Sequence, residues 1–246
     1  MEKKEWFEEW FDSPYYDMLY QHRDENEAAN FIYNLVKRLN IKPNPKILDL
    51  ACGKGRHSIN LNKLGFDVVG VDLSKRKIGY AKQFENKRLK FQLGDMREVV
   101  HENHFTHVFN LFTSFGYFSK PLDNQKVIQS VYKSLQPNGV FVLDFLNAAK
   151  IKVDSFSEKN LEINNVNFKV SKSIQGHEIV KKIKVLDKQN QFQFEERVTA
   201  FNYRELIDLI STSNFNIIHS FGDYNLTPFN KENSERVIIV ANKKGE

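Results

Sequence analysis

A glycine turn close to residue 50 is the first feature of the sequence that could do chemistry. The apolar run Lys46–Leu50 is typical of a buried strand, and it leads directly into a turn with Gly53 and Gly55. At such a strand–turn–helix junction, backbone N–H groups are available to a ligand, and glycine permits a close approach. Asp72 follows at the predicted end of the next strand, where a carboxylate can accept hydrogen bonds from both hydroxyls of a ribose. The pattern predicts a nucleoside-binding βαβ unit.

Two residues beside the turn indicate which nucleoside it binds. A dinucleotide-binding turn prefers a third small residue at the position that Ser58 occupies, to seat a pyrophosphate. Asp49 places an anion just before the turn, which disfavours a pyrophosphate but suits a cofactor with an ammonium and a sulfonium. The charges therefore favour S-adenosylmethionine, with a nicotinamide-dependent oxidoreductase as an alternative.

Four segments resemble motifs of the class I S-adenosylmethionine-dependent methyltransferases. Residues 49–55 (Asp-Leu-Ala-Cys-Gly-Lys-Gly) are similar to motif I, residues 69–74 (Val-Gly-Val-Asp-Leu-Ser) to the ribose-binding motif, and residues 94–98 to the adenine-binding motif. Residues 109–118 resemble the segment after strand four in small-molecule N-methyltransferases, including the glycine and sugar-amine enzymes. The resemblance covers nearly the whole chain.

The resemblance implies a role for each matching residue. Gly53 and Gly55 would approach the methionine moiety of the cofactor, Asp72 would hold its ribose, and Asp95 would accept from the adenine amine. Asp49 and the carbonyl of Asn110 would lie near the cofactor ammonium, and Arg23 would pair with its carboxylate. The further cofactor-binding candidates are Tyr20, Ala51, Leu73, Met96 and Leu111. A turn-capping role for Asp49 or Asp95, and a surface position for Arg23, remain open.

Methyl transfer is an in-line displacement that needs positioning more than acid–base catalysis. Aromatic faces can stabilise the sulfonium, although any single ring could instead be core packing. The catalytic candidates are Tyr16, Tyr117 and Asp144, and the substrate-binding candidates are Tyr15, Ser114, Arg197, Tyr224 and Arg236. Arg197 could equally pair with Glu195 or Glu196. No metal site is predicted.

The elements that must position these residues alternate between strands and helices as far as residue 150. An amphipathic helix is expected over 24–40, and a turn at 137–139 is expected to precede the fifth strand. The pattern predicts an α/β fold with a Rossmann-like, doubly wound seven-stranded sheet, mostly parallel with its last strand antiparallel. Residues 1–150 and 201–246 would form the methyltransferase core, with 1–45 as a helical cap. Apolar and polar residues alternate between Leu161 and Phe201, which predicts an antiparallel β insertion over residues 151–200. The insertion would act as a lid or as a homodimer interface, so the chain would be a monomer or a homodimer.

Composition limits the remaining possibilities. The chain has 246 residues, a formal net charge of +5 and a single cysteine, so it can form no intrachain disulfide. The first residues are acidic and amphipathic, unlike a secretory signal, and no run approaches the ~20 apolar residues of a membrane span, so a cytoplasmic protein is expected. The leading prediction is methylation of a small-molecule amine, carboxylate or hydroxyl. A nucleic-acid methyltransferase, favoured by the basic charge, and a catalytically silent cofactor-binding protein are the alternatives.

Overall fold

The structure is a computed structural model that describes residues 5–21, 25–42, 44–151 and 157–245. Its helices are α1 (Trp6–Asp12), α2 (Pro14–Leu19), α3 (Glu25–Leu39), α4 (Arg56–Lys63), α5 (Lys75–Ala81), α6 (Pro121–Ser134) and α7 (Tyr203–Ser211). Its strands are β1 (Lys46–Leu50), β2 (Asp67–Asp72), β3 (Leu89–Leu93), β4 (Phe105–Asn110), β5 (Leu135–Leu146), β6 (Ser157–Ile163), β7 (Val166–Gln175), β8 (Glu178–Asp187), β9 (Asn190–Thr199), β10 (Phe215–Phe221) and β11 (Arg236–Lys243).

Seven strands form the central sheet in the order β10-β11-β5-β4-β1-β2-β3. Strand β11 runs antiparallel to both of its neighbours, and the other six strands are parallel to one another. The middle strands are largely buried because helices cover both faces of the sheet. The predicted doubly wound sheet is confirmed. Within the described ranges, no helix has the length and apolar character that crossing a membrane requires.

The start of β5 differs from the prediction. The strand begins at Leu135, before the turn expected at 137–139, and Leu135 pairs with Phe105 of β4. The turn survives inside the strand, because Asn138 has a φ of 61° and the register with β4 jumps from Leu135 to Val140. Burial of Leu135 against the core explains why pairing begins before the turn rather than after it.

Strands β6 to β9 form a second, antiparallel sheet in chain order, which we call the insert. Its hairpins turn at 164–165, 176–177 and 188–189; the first turn, Asn164-Asn165, has left-handed φ values of 52° and 63° and was not predicted. The inner face of the insert packs on α1 and α2, where Phe168 and Ile183 form an apolar cluster with Trp10. The N-terminal helices therefore link the insert to the rest of the fold.

Candidate functional site

A cavity of about 1130 Å³ opens at the carboxyl ends of β1, β2 and β4, the edge at which open α/β sheets bind ligands. Loops of the core form one side of it, and α1, α2 and the inner face of the insert form the other. Most of the predicted site residues line this cavity: Tyr16, Tyr20, Ala51, Gly53, Asp72, Leu73, Asp95, Met96, Leu111, Ser114, Tyr117, Tyr224 and Arg236.

The glycine loop after β1 holds three residues in the left-handed region: Ala51 (φ 61°), Gly53 (φ 59°) and Gly55 (φ 83°). A Cβ added at Gly53 would meet nothing within 4 Å, so this glycine faces open cavity. A Cβ added at Gly55 would lie 2.5 Å from the ring of Phe91, so that glycine serves packing beneath the loop. Only Gly53 leaves room for a ligand to approach the backbone.

Asp72 is fixed at the cavity edge by two backbone donors. The Gly53 amide donates to its Oδ2 and the Ser74 amide to its Oδ1, each at 2.8 Å. These bonds tie the end of β2 to the glycine loop and orient the carboxylate at the cavity wall. The arrangement suits the predicted contact with ribose hydroxyls.

Asp49 lies beneath the glycine loop rather than in the cavity wall. It is buried, and its Oδ2 accepts a 2.5 Å hydrogen bond from the Ser58 hydroxyl. Burial raises the pKa of Asp49 to about 6, although the bonds from Ser58 oppose the rise. Ser58 thus has a structural use at the position where a dinucleotide-binding turn would carry a small residue.

Asp95 both caps a turn and faces the cavity. Its Oδ1 accepts from the Arg97 amide at 2.8 Å, which matches the turn-capping alternative, and its Oδ2 accepts from the Arg97 guanidinium at 2.5 Å. The Arg97 guanidinium also stacks on Phe118, 4.6 Å from the ring centroid. The carboxylate is therefore held in place beside Met96, the neighbouring residue of the cavity wall.

Asn110, the last residue of β4, links this strand to the end of β1 and to the segment that follows β4. Its side-chain amide donates to the carbonyls of Leu50 and Ser114, both at 3.1 Å, so it holds the segment after β4 against the end of β1. The Ser114 hydroxyl in turn donates to the carbonyl of Leu111. Asn110 itself is buried, while Leu111 and Ser114 reach the cavity.

Asp144 is fully buried at the end of β5 and forms an ion pair with Arg236, 2.8 Å away. Its Oδ2 accepts from the Phe112 amide at 2.8 Å and from the Tyr224 hydroxyl at 3.3 Å. Phe112 and Thr113 both have left-handed φ values, of 60° and 58°, which are strained for residues of these types. Asp144 therefore lies behind the cavity wall, where it holds a strained loop.

Burial raises the pKa of Asp144, and the charge of Arg236 opposes the rise. Burial likewise raises the pKa of Tyr224, with the Asp144 carboxylate adding to it. The Tyr224 ring stacks on Phe112 at 5.1 Å, so aromatic packing supports the same loop.

Aromatic side chains from α1 and α2 pack with Tyr117 in the cavity wall. The ring of Phe11 lies 5.2 Å from that of Tyr16 and 5.1 Å from that of Tyr117, and Trp6 lies 5.7 Å from Tyr117. The Lys77 ammonium lies over Tyr16, 4.0 Å from its centroid, and 5.2 Å from that of Phe11. Sequence reasoning did not identify Trp6, Phe11 or Lys77, because apolar or basic residues on short helices carry no distinctive motif.

Two predicted substrate contacts lie outside the cavity wall. Tyr15 donates to Asp187 at 3.0 Å and packs on Phe192 of the insert. Arg197 pairs with Glu178 and Glu195, so it adopts the salt bridge that was its alternative role. The structure does not bring either residue to the ligand edge of the sheet, and Arg23 lies outside the described residues.

A polar group on the inner face of the insert was missed. Glu196 is the acceptor for the Trp10 indole at 2.7 Å and the Tyr20 hydroxyl at 2.6 Å, and it pairs with Lys181 at 3.2 Å. The charge of Lys181 and these hydrogen bonds hold the pKa of Glu196 below its usual value despite burial. Tyr20, predicted as a cofactor contact, is instead bound to this group while still facing the cavity.

The N-terminal helices are also fixed to the cofactor side of the cavity. The Arg76 guanidinium donates to Asp17 at 2.5 Å and to the carbonyl of Ser13 at 3.0 Å, and Lys54 of the glycine loop pairs with Asp17 at 3.0 Å. The Ser74 hydroxyl donates to Asp12. The cap therefore contacts the glycine loop and the start of α5 at the same time.

Comparison of the sequence with known proteins assigns the chain to a family. The model of the methyltransferase domain family matches residues 41–190. The glycine/sarcosine N-methyltransferase of Aphanothece halophytica is 30% identical over 151 residues, which cover 58% of this chain and 55% of that protein. The dTDP-3-amino-3,4,6-trideoxy-alpha-D-glucopyranose N,N-dimethyltransferase of Streptomyces venezuelae is 31% identical over 134 residues, covering 52% and 54%. The chain thus matches about half the length of these curated relatives.

The similarity in fold extends over nearly the whole chain. The crystal structure of an S-adenosylmethionine-dependent methyltransferase from Clostridium acetobutylicum superposes with a TM-score of 0.79 at 21% identity. The match covers 94% of this chain and 96% of that one. A match of this extent takes in most of the insert as well as the central sheet.

Proposed function

The chain belongs to the class I S-adenosylmethionine-dependent methyltransferase family, and we propose that it methylates a small-molecule amine. One observation carries this proposal: the open side of the glycine loop, the Asp72 carboxylate and a wall of aromatic rings all face one cavity. That cavity is covered by α1, α2 and the insert, which suits a small acceptor.

The described residues fit the cofactor of this family. Open space above Gly53 can receive its methionine end, and Asp72, oriented by two amides, can accept from its ribose. When bound, S-adenosylmethionine supplies a methyl group on a positively charged sulfur. Asp95 and Met96 line the continuation of the cavity, where the adenine would lie.

The contribution of the chain is positioning and the exclusion of water. A well-oriented encounter can lower the barrier by roughly 7–11 kcal/mol, and a covered cavity removes water that would solvate the attacking lone pair. Tyr16, Phe11 and Tyr117 can present ring faces to a positive sulfur, each for about 0.5–2 kcal/mol. The role of these rings is therefore electrostatic and does not require them to accept a proton.

An amine must lose its proton before it can attack, and the cavity contains cations that favour this. Lys77 lies over Tyr16 in the cavity wall. A neighbouring positive charge penalises an ammonium and lowers the pKa of a bound amine. Binding beside Lys77 would therefore enrich the neutral acceptor without a dedicated general base.

We propose a positioning role for Asp144 in place of the base role considered from sequence. Its carboxylate is paired with Arg236 and bonded to Phe112, and it lies behind the cavity wall. A carboxylate held in this way cannot reach an acceptor without breaking a buried ion pair. Its charge instead fixes the loop that carries Phe112 and Thr113.

The insert and the N-terminal helices together would form the lid. Trp10 bonds to Glu196 of β9 and packs on Phe194, so the cap and the insert share one apolar cluster. A lid built this way would move as a unit and expose the cavity at the Asp17 contacts.

The amine is favoured by the relatives, since one acts on glycine and sarcosine and another on an amino sugar, as their names state. The test is release of S-adenosylhomocysteine from S-adenosylmethionine with glycine, sarcosine, an amino sugar or total RNA as acceptor. Turnover on an amine that Asp72→Ala weakens would support the proposal. Methylation of RNA alone would favour the nucleic-acid alternative, and cofactor binding without any transfer would favour the catalytically silent one.

A further inference from the structure

A row of charged residues crosses the inner face of the insert at a single register. Lys172 of β7 lies opposite Lys181 of β8, which lies opposite Glu196 of β9. We call these three residues the charged row. All three line the cavity.

The rows on either side are apolar, so the charged row interrupts an otherwise apolar inner face of the insert. Val170, Ile183 and Phe194 share the next register on one side, and Ile174, Ile179 and Val198 share the next on the other. A charge flanked in this way is partly desolvated, and it needs a partner of opposite sign.

Lys181 has such a partner, and among the described residues Lys172 forms no ion pair. Glu196 pairs with Lys181 at 3.2 Å and takes its remaining bonds from Trp10 and Tyr20. In the described part of the chain, no carboxylate forms an ion pair with Lys172. Burial and the charge of Lys181 lower the pKa of Lys172, and the charge of Glu196 offsets them only in part.

We infer that Lys172 binds an anionic group of the methyl acceptor, so that the substrate is an amine that also carries a carboxylate or a phosphate. The inference rests on the proposed function, since it names the acceptor class of the same cavity. Two ammonium groups and one carboxylate leave the charged row with one excess positive charge. A substrate anion neutralises that charge and directs the other end of the molecule away from the insert, toward the core loops.

The experiment measures binding to the full-length protein saturated with S-adenosylhomocysteine, by calorimetry at millimolar probe concentrations. One set of probes is phosphoethanolamine, ethanolamine, which lacks the anion, and ethyl phosphate, which lacks the amine. The second set is glycine, glycinamide and acetate, matched in the same way. The two sets distinguish a phosphate from a carboxylate as the anion that Lys172 accepts.

Three variants separate the charge of Lys172 from its packing. Lys172→Met removes the charge and keeps the apolar stem, Lys172→Arg retains the charge, and Lys182→Met is the control on the opposite, exposed face of β8. We expect Lys172→Met to weaken the better anionic probe about 10- to 100-fold, the loss of one charge-assisted bond. Lys172→Arg should retain most of the affinity, and Lys182→Met should bind as the wild type does.

The inference is overturned if neither anionic probe binds, or if Lys172→Met and Lys182→Met bind it equally well. It is also overturned if ethanolamine and glycinamide, which lack the anionic group, bind as tightly as phosphoethanolamine and glycine. A different result is expected if the proposed methylation of an amine is wrong. Ethyl phosphate and acetate, which lack the amine, would then bind as tightly as phosphoethanolamine and glycine, and their affinity would still depend on Lys172.

Discussion

Replacement of Asp72 by alanine tests the cofactor assignment most directly. In the structure this carboxylate accepts from the amides of Gly53 and Ser74, and its remaining lone pairs face the cavity. Asparagine is a poor substitute, because its amide group would oppose one of the two backbone donors. Alanine removes every bond of the carboxylate without adding a donor.

Loss of a charged acceptor for hydroxyl groups costs about 1.5–3 kcal/mol. The dissociation constant for S-adenosylhomocysteine should therefore rise roughly 10- to 150-fold, measured by calorimetry. The matched control is Asp67→Ala at the other end of β2, where an exposed pair with Arg88 contributes only about 0–1 kcal/mol to stability. That variant should bind the cofactor product as the wild type does.

A second ligand separates the ribose contact from the support that Asp72 gives to the glycine loop. The 2′-deoxy analogue of S-adenosylhomocysteine lacks one hydroxyl, so it should bind less tightly than the parent to the wild type. In Asp72→Ala the two ligands should bind alike, because the group that distinguishes them is gone. An unchanged affinity in the variant, or an undiminished preference for the parent, would refute the ribose assignment.

Three further predictions concern the loops and the insert. Gly55→Ala should lower the free energy of unfolding in urea by about 2–5 kcal/mol, because the left-handed φ of Gly55 and its contact with the Phe91 ring both oppose a Cβ. Gly53→Ala should lower the free energy of unfolding by only about 1–2 kcal/mol but should impair cofactor binding. Asp144→Asn should cost about 1.5–3 kcal/mol, since it removes the charge from a fully buried acceptor of the partly exposed Arg236 guanidinium, and should leave the pH profile of turnover unchanged; a shifted profile with stability retained would restore the base role. Glu196→Gln should be less stable than the wild type above pH 4.5, the ordinary pKa of the carboxyl, because the folded state lowers that pKa; the difference should shrink as the pH falls further, and a constant difference would contradict this.

The central sheet was predictable because its strands are short apolar runs bounded by turns. Runs such as Lys46–Leu50 and Arg236–Lys243 are buried on both faces, and their short length, bounding turns and β-branched residues distinguish them from helices. The antiparallel direction of β11 followed from the loop that precedes it. The start of β5 was not predictable, since a buried leucine extends pairing past a turn whose residues indicate a boundary.

The cofactor side of the site was also largely predictable, because its residues follow strand ends in the chain. Asp72 ends β2, and Gly53 and Asp95 lie in the loops that follow β1 and β3; parallel strands bring their carboxyl ends to one edge. Tyr15 and Arg197, predicted as substrate contacts, do not line the cavity. Their assignment rested on residue type alone, without an element whose direction could be derived.

The alignment of the charged row is a feature of the site that the sequence pattern does not predict. In each of β7, β8 and β9, one charged residue occupies a position at which the period of two predicts an apolar one. A single exception of this kind carries little information, since inward-facing lysines often reach the rim of a sheet. Three exceptions in one register are informative, but they align only once the hairpin turns fix which residues lie opposite each other. Turns at 176–177 and 188–189 place Lys172, Lys181 and Glu196 side by side, and a shift of one residue in either hairpin would separate them. The proposed contact between Lys172 and the acceptor anion therefore depends on strand register, which the three-dimensional structure supplies and the linear pattern does not.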